Sequence, residues 1–248
     1  MSDLFENAER EREFADGSLY FYLYQQSGNL AQLNQALEIW QETIDQMQPD
    51  SPEYLLCLNR LSYGLNERFE QTQNLSDLNE AARLLEQGLT LSEVGSAIYV
   101  QSLQHLGNVV SMRYDYTEDA PDLDRAIQLY EQVLHYIPRD TPELAQHLHN
   151  LCSCLLGRFV HTENLADLDR AIQAWEEIIA VTTIASPHRA MHLSNLDNGL
   201  RMRYALTENI ADLERAIEVL GILLQETALD APQRQDYLER LNASVLLL

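Results

Sequence analysis

The sequence predicts an all-α protein, a right-handed superhelical solenoid of antiparallel helix pairs with about eleven helices, and three observations predict it. One phrase recurs five times, as GNLAQLNQAL, QNLSDLNEAA, DAPDLDRAI, ENLADLDRAI and ENIADLERAI, and its leucine falls at Leu33, Leu78, Leu123, Leu168 and Leu213, always 45 residues apart. Apolar residues inside each unit recur at helical spacing, as in Leu123, Ala126, Ile127, Tyr130, Val133, Leu134 and Ile137. No strand alternation or hairpin turn competes with that pattern.

The elements follow in order. A leading helix is expected near residues 3 to 26, in a degenerate first unit where Leu23 stands at a position later held by arginine. The second helix of each unit starts at a capping side chain, Asn29, Asn74, Asn164 or Asn209, with Asp77, Asp167 and Asp212 three residues further on at the positive helix end. In the third unit Asp119 takes the cap position and Pro121 follows in the first turn. Pro138 and the dipeptides Ser51-Pro52, Thr141-Pro142 and Ser186-Pro187 mark the links to the next helix. That helix carries the stripes Leu58, Leu61, Leu65, Phe69, then Leu148, Leu151, Leu155, Phe159, then Leu193, Leu196, Leu200, Tyr204. A capping or docking helix is expected over 231–247. One pair cannot cover its own apolar face, so the five units are expected to stack as a single repeat domain over 1–248.

Composition narrows the function classes. The 248 residues hold 39 Asp+Glu against 16 Lys+Arg, a formal charge of −23. Such a charge disfavours direct binding to nucleic acid or to an anionic membrane and favours encounter with a basic partner. No apolar run approaches the roughly 20 residues of a spanning helix, and the first ten residues lack the pattern of a secretory signal, so a cytoplasmic protein is expected. Cys57, Cys152 and Cys154 have no zinc-motif spacing. All basic residues are Arg, and the chain is free of Lys.

The residues resemble the tetratricopeptide (TPR) repeat family. In the third unit Leu103, Leu106, Gly107 and Val110 match its helix A, and Ala126, Tyr130, Val133 and Pro138 its helix B. The family's usual repeat has about 34 residues, so these helices are extended. Ser62, Cys152 and Asp197 replace Gly107 in the other units. The pairs Arg113-Tyr114, Arg158-Phe159 and Arg203-Tyr204, followed by Thr117, Thr162 and Thr207 and then the N-L-x-D-L phrase, more closely resemble the arrays of proteins with a CHAT domain, a caspase-like peptidase. The repeats consume the chain and leave no segment for such a catalytic domain.

The resemblance implies a protein or peptide partner bound on the concave helix-A face. Carried over position by position, that face holds Asn59, Gln104, His149 and Ser194, then Tyr63, Asn108, Ser153 and Asn198, then Asn66, Ser111 and Arg201. The lining is polar and mostly neutral, suited to pairing with a peptide backbone. The recurrent Arg68, Arg113, Arg158 and Arg203 are read as structural, each placed for a bidentate bond to the acidic cap of the adjoining helix. His188 and His192 lie four apart on one predicted helix, but no third ligand is forced there by spacing, so no metal or other cofactor is expected. A nucleophile at Cys152 or Cys154 beside His149 or His161 would need a cleft and an oxyanion hole that stacked helices do not readily supply, so no enzyme is expected. Trp40, Leu85, Tyr130, Trp175 and Leu220 share one repeat position and read as core. Leu246, Leu247 and Leu248 give the last helix an apolar outer face, expected to dock onto the last repeat or to bury itself by self-association or against another protein. The expected function is a non-enzymatic scaffold or adaptor. The alternatives are a regulatory or sensing subunit for a separate CHAT-type peptidase and an acidic mimic of nucleic acid.

Overall fold

The computed structural model describes residues 2–49, 51–139, 141–228 and 230–248, with the side chains of residues 2–11, 13, 52 and 142 outside the description. Among the described residues the regular structure is entirely α-helical. The eleven helices are α1 (Ser2–Ser27), α2 (Leu30–Asp45), α3 (Pro52–Thr72), α4 (Leu75–Leu91), α5 (Ala97–Thr117), α6 (Ala120–Leu134), α7 (Pro142–Thr162), α8 (Leu165–Val181), α9 (Arg189–Thr207), α10 (Ile210–Glu226) and α11 (Arg234–Val245). They group into two compact units, Met1–Tyr136 and Ile137–Leu248. In the first, α1, α3 and α5 are A helices paired with α2, α4 and α6 as B helices; in the second, α7 and α9 pair with α8 and α10, and α11 packs on α10.

The turn between each A helix and its B helix is built the same way every time. Arg68, Arg113, Arg158 and Arg203 each donate two hydrogen bonds to the carboxylate nine residues ahead, at 2.6 to 2.9 Å for Asp77 and 2.5 to 2.6 Å for Asp122. Asp167 and Asp212 are held alike. The bidentate lock expected from the sequence is therefore present at all four turns. These aspartates are buried, between 2 and 6% exposed, so each needs the paired charge to offset its desolvation. The threonine four residues after each arginine donates its hydroxyl to that arginine's carbonyl at 2.8 Å and accepts the backbone N–H of the next cap residue at 3.3 Å. Between them Gln73, Glu118, Glu163 and Glu208 adopt the left-handed conformation, φ 53 to 57°, where the first unit has Gly28.

The caps also follow the sequence, with one correction. Asn29, Asn74, Asn164 and Asn209 accept the N–H two residues on, that of Ala31, Ser76, Ala166 and Ala211. Asp119 occupies the same position but makes no side-chain cap bond. The residue two positions on is Pro121, which has no N–H to give.

Core packing between a B helix and the next A helix matches large against small. Trp40 is 1% exposed, and a Cβ added to Gly64 would stand 2.6 Å from Leu37 Cδ2 and 3.2 Å from Trp40 Cζ3. Trp175 meets Gly199 in the same way, at 2.6 Å. At the equivalent repeat positions the sequence holds a smaller B residue and a larger A residue, Leu85 and Val109, and Leu220 and Ser244, all of them buried. The five residues sharing the Trp40 position are all core, as expected.

The last helix departs from expectation at both ends, running from Arg234 to Val245 rather than over 231–247. Residues 231–233 form a turn, and Arg234 reaches back to the carbonyls of Leu224 and Thr227 at the end of α10. Arg189 does the same one repeat earlier with Ile179 and Thr182, at 2.8 and 2.7 Å. Leu246, Leu247 and Leu248 do not dock onto the last repeat: they are 86, 56 and 59% exposed.

Candidate functional site

In the first unit the A helices bring their polar positions to neighbouring turns. Tyr63 is exposed and lies edge-on to Phe21 of α1, with centroids 5.7 Å apart, and tilted against His105 of α5 at 5.8 Å. A cavity of about 320 Å³ opens beside it, lined by Ser18, Phe21, Tyr22, Gln25, Arg60 and Tyr63. Burial first, and then the negative charge of Glu67, raises the Tyr63 phenol above its ordinary value. Gln104, Asn66, Asn108 and Ser111 are half-buried on the same helices. Asn108 is engaged, accepting the Tyr130 hydroxyl at 2.8 Å. Asn59 lies beneath the face rather than on it: it is 3% exposed, and its amide donates to Leu55 O and to Ser102 Oγ at 2.9 Å, tying α3 to α5.

In the second unit the face divides into two regions. Ser194, Asn198 and Arg201 of α9 sit under α11, whose Arg240 donates to Ser194 Oγ at 3.1 Å, to Asn198 Oδ1 at 2.9 Å and to the fully buried carboxylate of Asp197. Arg201 in turn donates to the carbonyl of Arg240 at 3.4 Å. Burial raises the Asp197 carboxyl, and the adjacent Arg240 opposes that rise. A cavity of about 380 Å³ lined by Asn198, Arg201, Met202, Ala205 and Arg240 opens here. Sequence reasoning missed Arg240. The signal was Asp197 itself, a carboxylate at the position that Ser62, Gly107 and Cys152 hold elsewhere, since a charge at a packed position requires a cation nearby.

The other region surrounds His149. Its ring meets that of His192 at 5.6 Å, near-perpendicular, beside a cavity of about 550 Å³ lined also by Gln146, Thr182, Ser186, His188 and Met191. Ser153, exposed one turn along, donates to His149 O. His188 is not inside the helix as expected but at its cap position; the His192 N–H still donates to His188 O at 3.1 Å, so the two rings keep helical spacing. Burial lowers the His149 and His192 imidazoles, His192 to about 4. Among the described residues no three His, Cys, Asp or Glu side chains stand together so that they could hold a metal ion.

The cysteines are all buried and free, and burial pushes the Cys57 and Cys152 thiols up to about 12. That environment suppresses the thiolate a nucleophile needs. Among the described residues no helix is long and apolar enough to cross a membrane.

Residues 100–142 match the tetratricopeptide repeat model. No curated protein matches the chain. Among solved structures, the nearly identical TPR-like repeats of a kinesin light chain from Podosopora anserina align with a TM-score of 0.59 at 16% identity, covering 95% of this chain and 96% of that one. MamA (41-end) from Desulfovibrio magneticus RS-1 aligns at 0.56 and 16%, covering 87% and 98%. BtubC from P. vanneervenii aligns at 0.52 and 14%, covering 91% and 95%. At such identities the likeness is one of fold: a TPR-like array of helix pairs, an architecture that commonly mediates protein–protein interaction.

Proposed function

We propose that this protein is a non-enzymatic scaffold or adaptor that holds a peptide or helical segment of a partner along its helix-A face. The observation that carries the reading is the recurrence, within each unit, of polar side chains beside open cavities on A helices: Tyr63 with Arg60 in the first, His149, and Asn198 with Arg201 in the second. The neutral amides, hydroxyls and rings among them pair with a peptide backbone without selecting its charge. The net charge of −23 favours a basic partner in the encounter step. The recurrent Arg-aromatic and N-L-x-D-L phrases favour one refinement, a regulatory or sensing subunit of a CHAT-type peptidase system supplied by another chain.

The last helix extends the same reading to self-association. Leu238, Leu241 and Val245 repeat the stripe that is Leu193, Leu196 and Leu200 in α9, where all three are at most 2% exposed; in α11 Leu238 and Val245 are 37 and 53% exposed. Such a stripe is suited to a second copy or a partner helix.

The groove is tested with Tyr63→Arg and Ser153→Arg, two exposed positions that place a bulky side chain on each unit's face without entering the core. A partner captured by the wild-type protein and retained in high salt should bind at least tenfold more weakly to the double variant at unchanged helicity. Equal affinity moves the interface off helix A. Sedimentation equilibrium of the same wild-type preparation over rising concentration reads self-association, which strict monomer behaviour would exclude.

A further inference from the structure

We infer that the cavity between α1 and α3 is a binding site for an organic carboxylate carried on an aromatic or short apolar body, with Arg60 as the residue that takes its charge.

The array holds this cavity twice. Ser18, Phe21, Tyr22, Gln25 and Arg60 line it in the first unit, and the residues four repeats on, Asn198, Arg201, Met202, Ala205 and Arg240, line its counterpart in the second. In the second unit the arginine is saturated: Arg240 pairs with the buried carboxylate of Asp197 and donates to Asn198 Oδ1 and Ser194 Oγ. In the first unit Gly17 and Ser18 stand where Asp197 and Asn198 stand in the second. Ser18 donates its hydroxyl to Phe14 O at 3.0 Å, and among the described residues the exposed Arg60 side chain makes no ion pair or hydrogen bond. Position 17 has no room for a carboxylate of the chain's own, since a Cβ there would stand 2.6 Å from Trp40 Nε1. The same arginine position is thus closed by an internal carboxylate at one site and left beside an open cavity at the other.

The chemistry of the cavity selects the ligand. A guanidinium presents two parallel N–H donors that a carboxylate meets bidentately, as Asp77 meets Arg68 at 2.9 and 2.6 Å. Phosphate fits the same fork, and the surroundings decide between the two. The walls are the rings of Phe21, Tyr22, Trp40 and Tyr63, with Phe21 centred 5.5 Å from Trp40 and 5.7 Å from Tyr63. Such walls favour an apolar or aromatic body, and about 320 Å³ accommodates one ring. The net charge of −23, with Glu67 near enough to raise the Tyr63 phenol, disfavours a second negative charge on the ligand. Two sources carry this chemistry: a free arylalkanoate, and an acidic side chain beside an aromatic one in a partner segment. Only the second rests on the adaptor reading.

The test uses the full chain at pH 7.5 and ligand-observed saturation-transfer NMR, with hydrocinnamate as the free acid and the capped dipeptide acetyl-Phe-Glu-amide as the segment. At least one should bind saturably. Arg60→Gln, an exposed change that leaves every described bond in place, should weaken that binding about tenfold or more at unchanged helicity. The neutral counterparts, hydrocinnamamide and acetyl-Phe-Gln-amide, and inorganic phosphate should each bind about tenfold more weakly or less. Binding by hydrocinnamate assigns the site to a small molecule, and binding by the dipeptide alone assigns it to a partner segment. Silence from both probes, equal binding by the neutral counterparts, or equal affinity in Arg60→Gln would overturn the assignment. Partner capture with the Tyr63 and Ser153 variants reads the groove separately, so failure of one inference is distinguished from failure of the other.

Discussion

At the scale of single residues, the repeated arginine is an exacting position, because at each of four turns it neutralises a carboxylate that folding has taken out of water. Replacing Arg113 by Ala leaves Asp122, 6% exposed, without its partner, and the expected loss is about 3 kcal/mol, read as a lower urea midpoint. Arg113→Lys should recover only part of it, since a point charge cannot meet both carboxylate oxygens at once. The histidines set a different dependence. Burial first, then the charges of His149 and His188, hold the His192 imidazole at about 4, against 6.5 when unfolded. The unfolded chain therefore binds more protons between those values, so this contribution is complete above pH 6.5 and is lost as the pH falls toward 4. Its size is about 3 kcal/mol at most. Urea midpoints of the protein should be level from pH 7 to 8 and decline below 6.5, and His192→Gln should flatten that decline; a midpoint independent of pH would contradict the burial argument.

At the scale of elements, the fit between a B helix and the following A helix is a matched pair of volumes. Gly64→Val forces a side chain into Leu37 and Trp40 and should cost roughly 1–3 kcal/mol. Trp40→Leu, which empties part of the same space, should cost roughly 3 kcal/mol alone. Together they reproduce the combination already present at Leu85 and Val109, so the double variant should be more stable than the sum of the two losses by about 1 kcal/mol or more. Additive losses in a thermodynamic cycle would show that the two sites do not share one volume. Helix positions were legible in the sequence because each A or B helix writes its buried stripe at one period and its turn in one phrase. The cap at Asp119 was legible only as a position: that its acceptor has nothing to accept follows from Pro121, two residues on.

At the scale of the whole molecule, periodicity reports which faces are buried but not which polar groups meet between elements some 43 residues apart. That is why Asn59, bound to Ser102, and Arg240, bound to Asp197, were invisible as partners, although each stands at an ordinary repeat position. It is also why the fate of Leu246 to Leu248 was left open: an apolar run demands a cover, and the described helices provide none. The uniform turn has a further consequence, for how such a chain can change in length. Every turn from Arg68 to Asp77 and onward is built from the same bonds, while inside each unit a B helix is fitted individually to the A helix after it, Trp40 to Gly64 and Trp175 to Gly199. Duplication or deletion cut from turn to turn exchanges interchangeable ends and keeps every fitted pair together, whereas a cut between helix pairs would bring Trp40 against Val109. The heritable module is therefore a B helix with the A helix that follows it, offset by half a repeat from the hairpin that meets the eye.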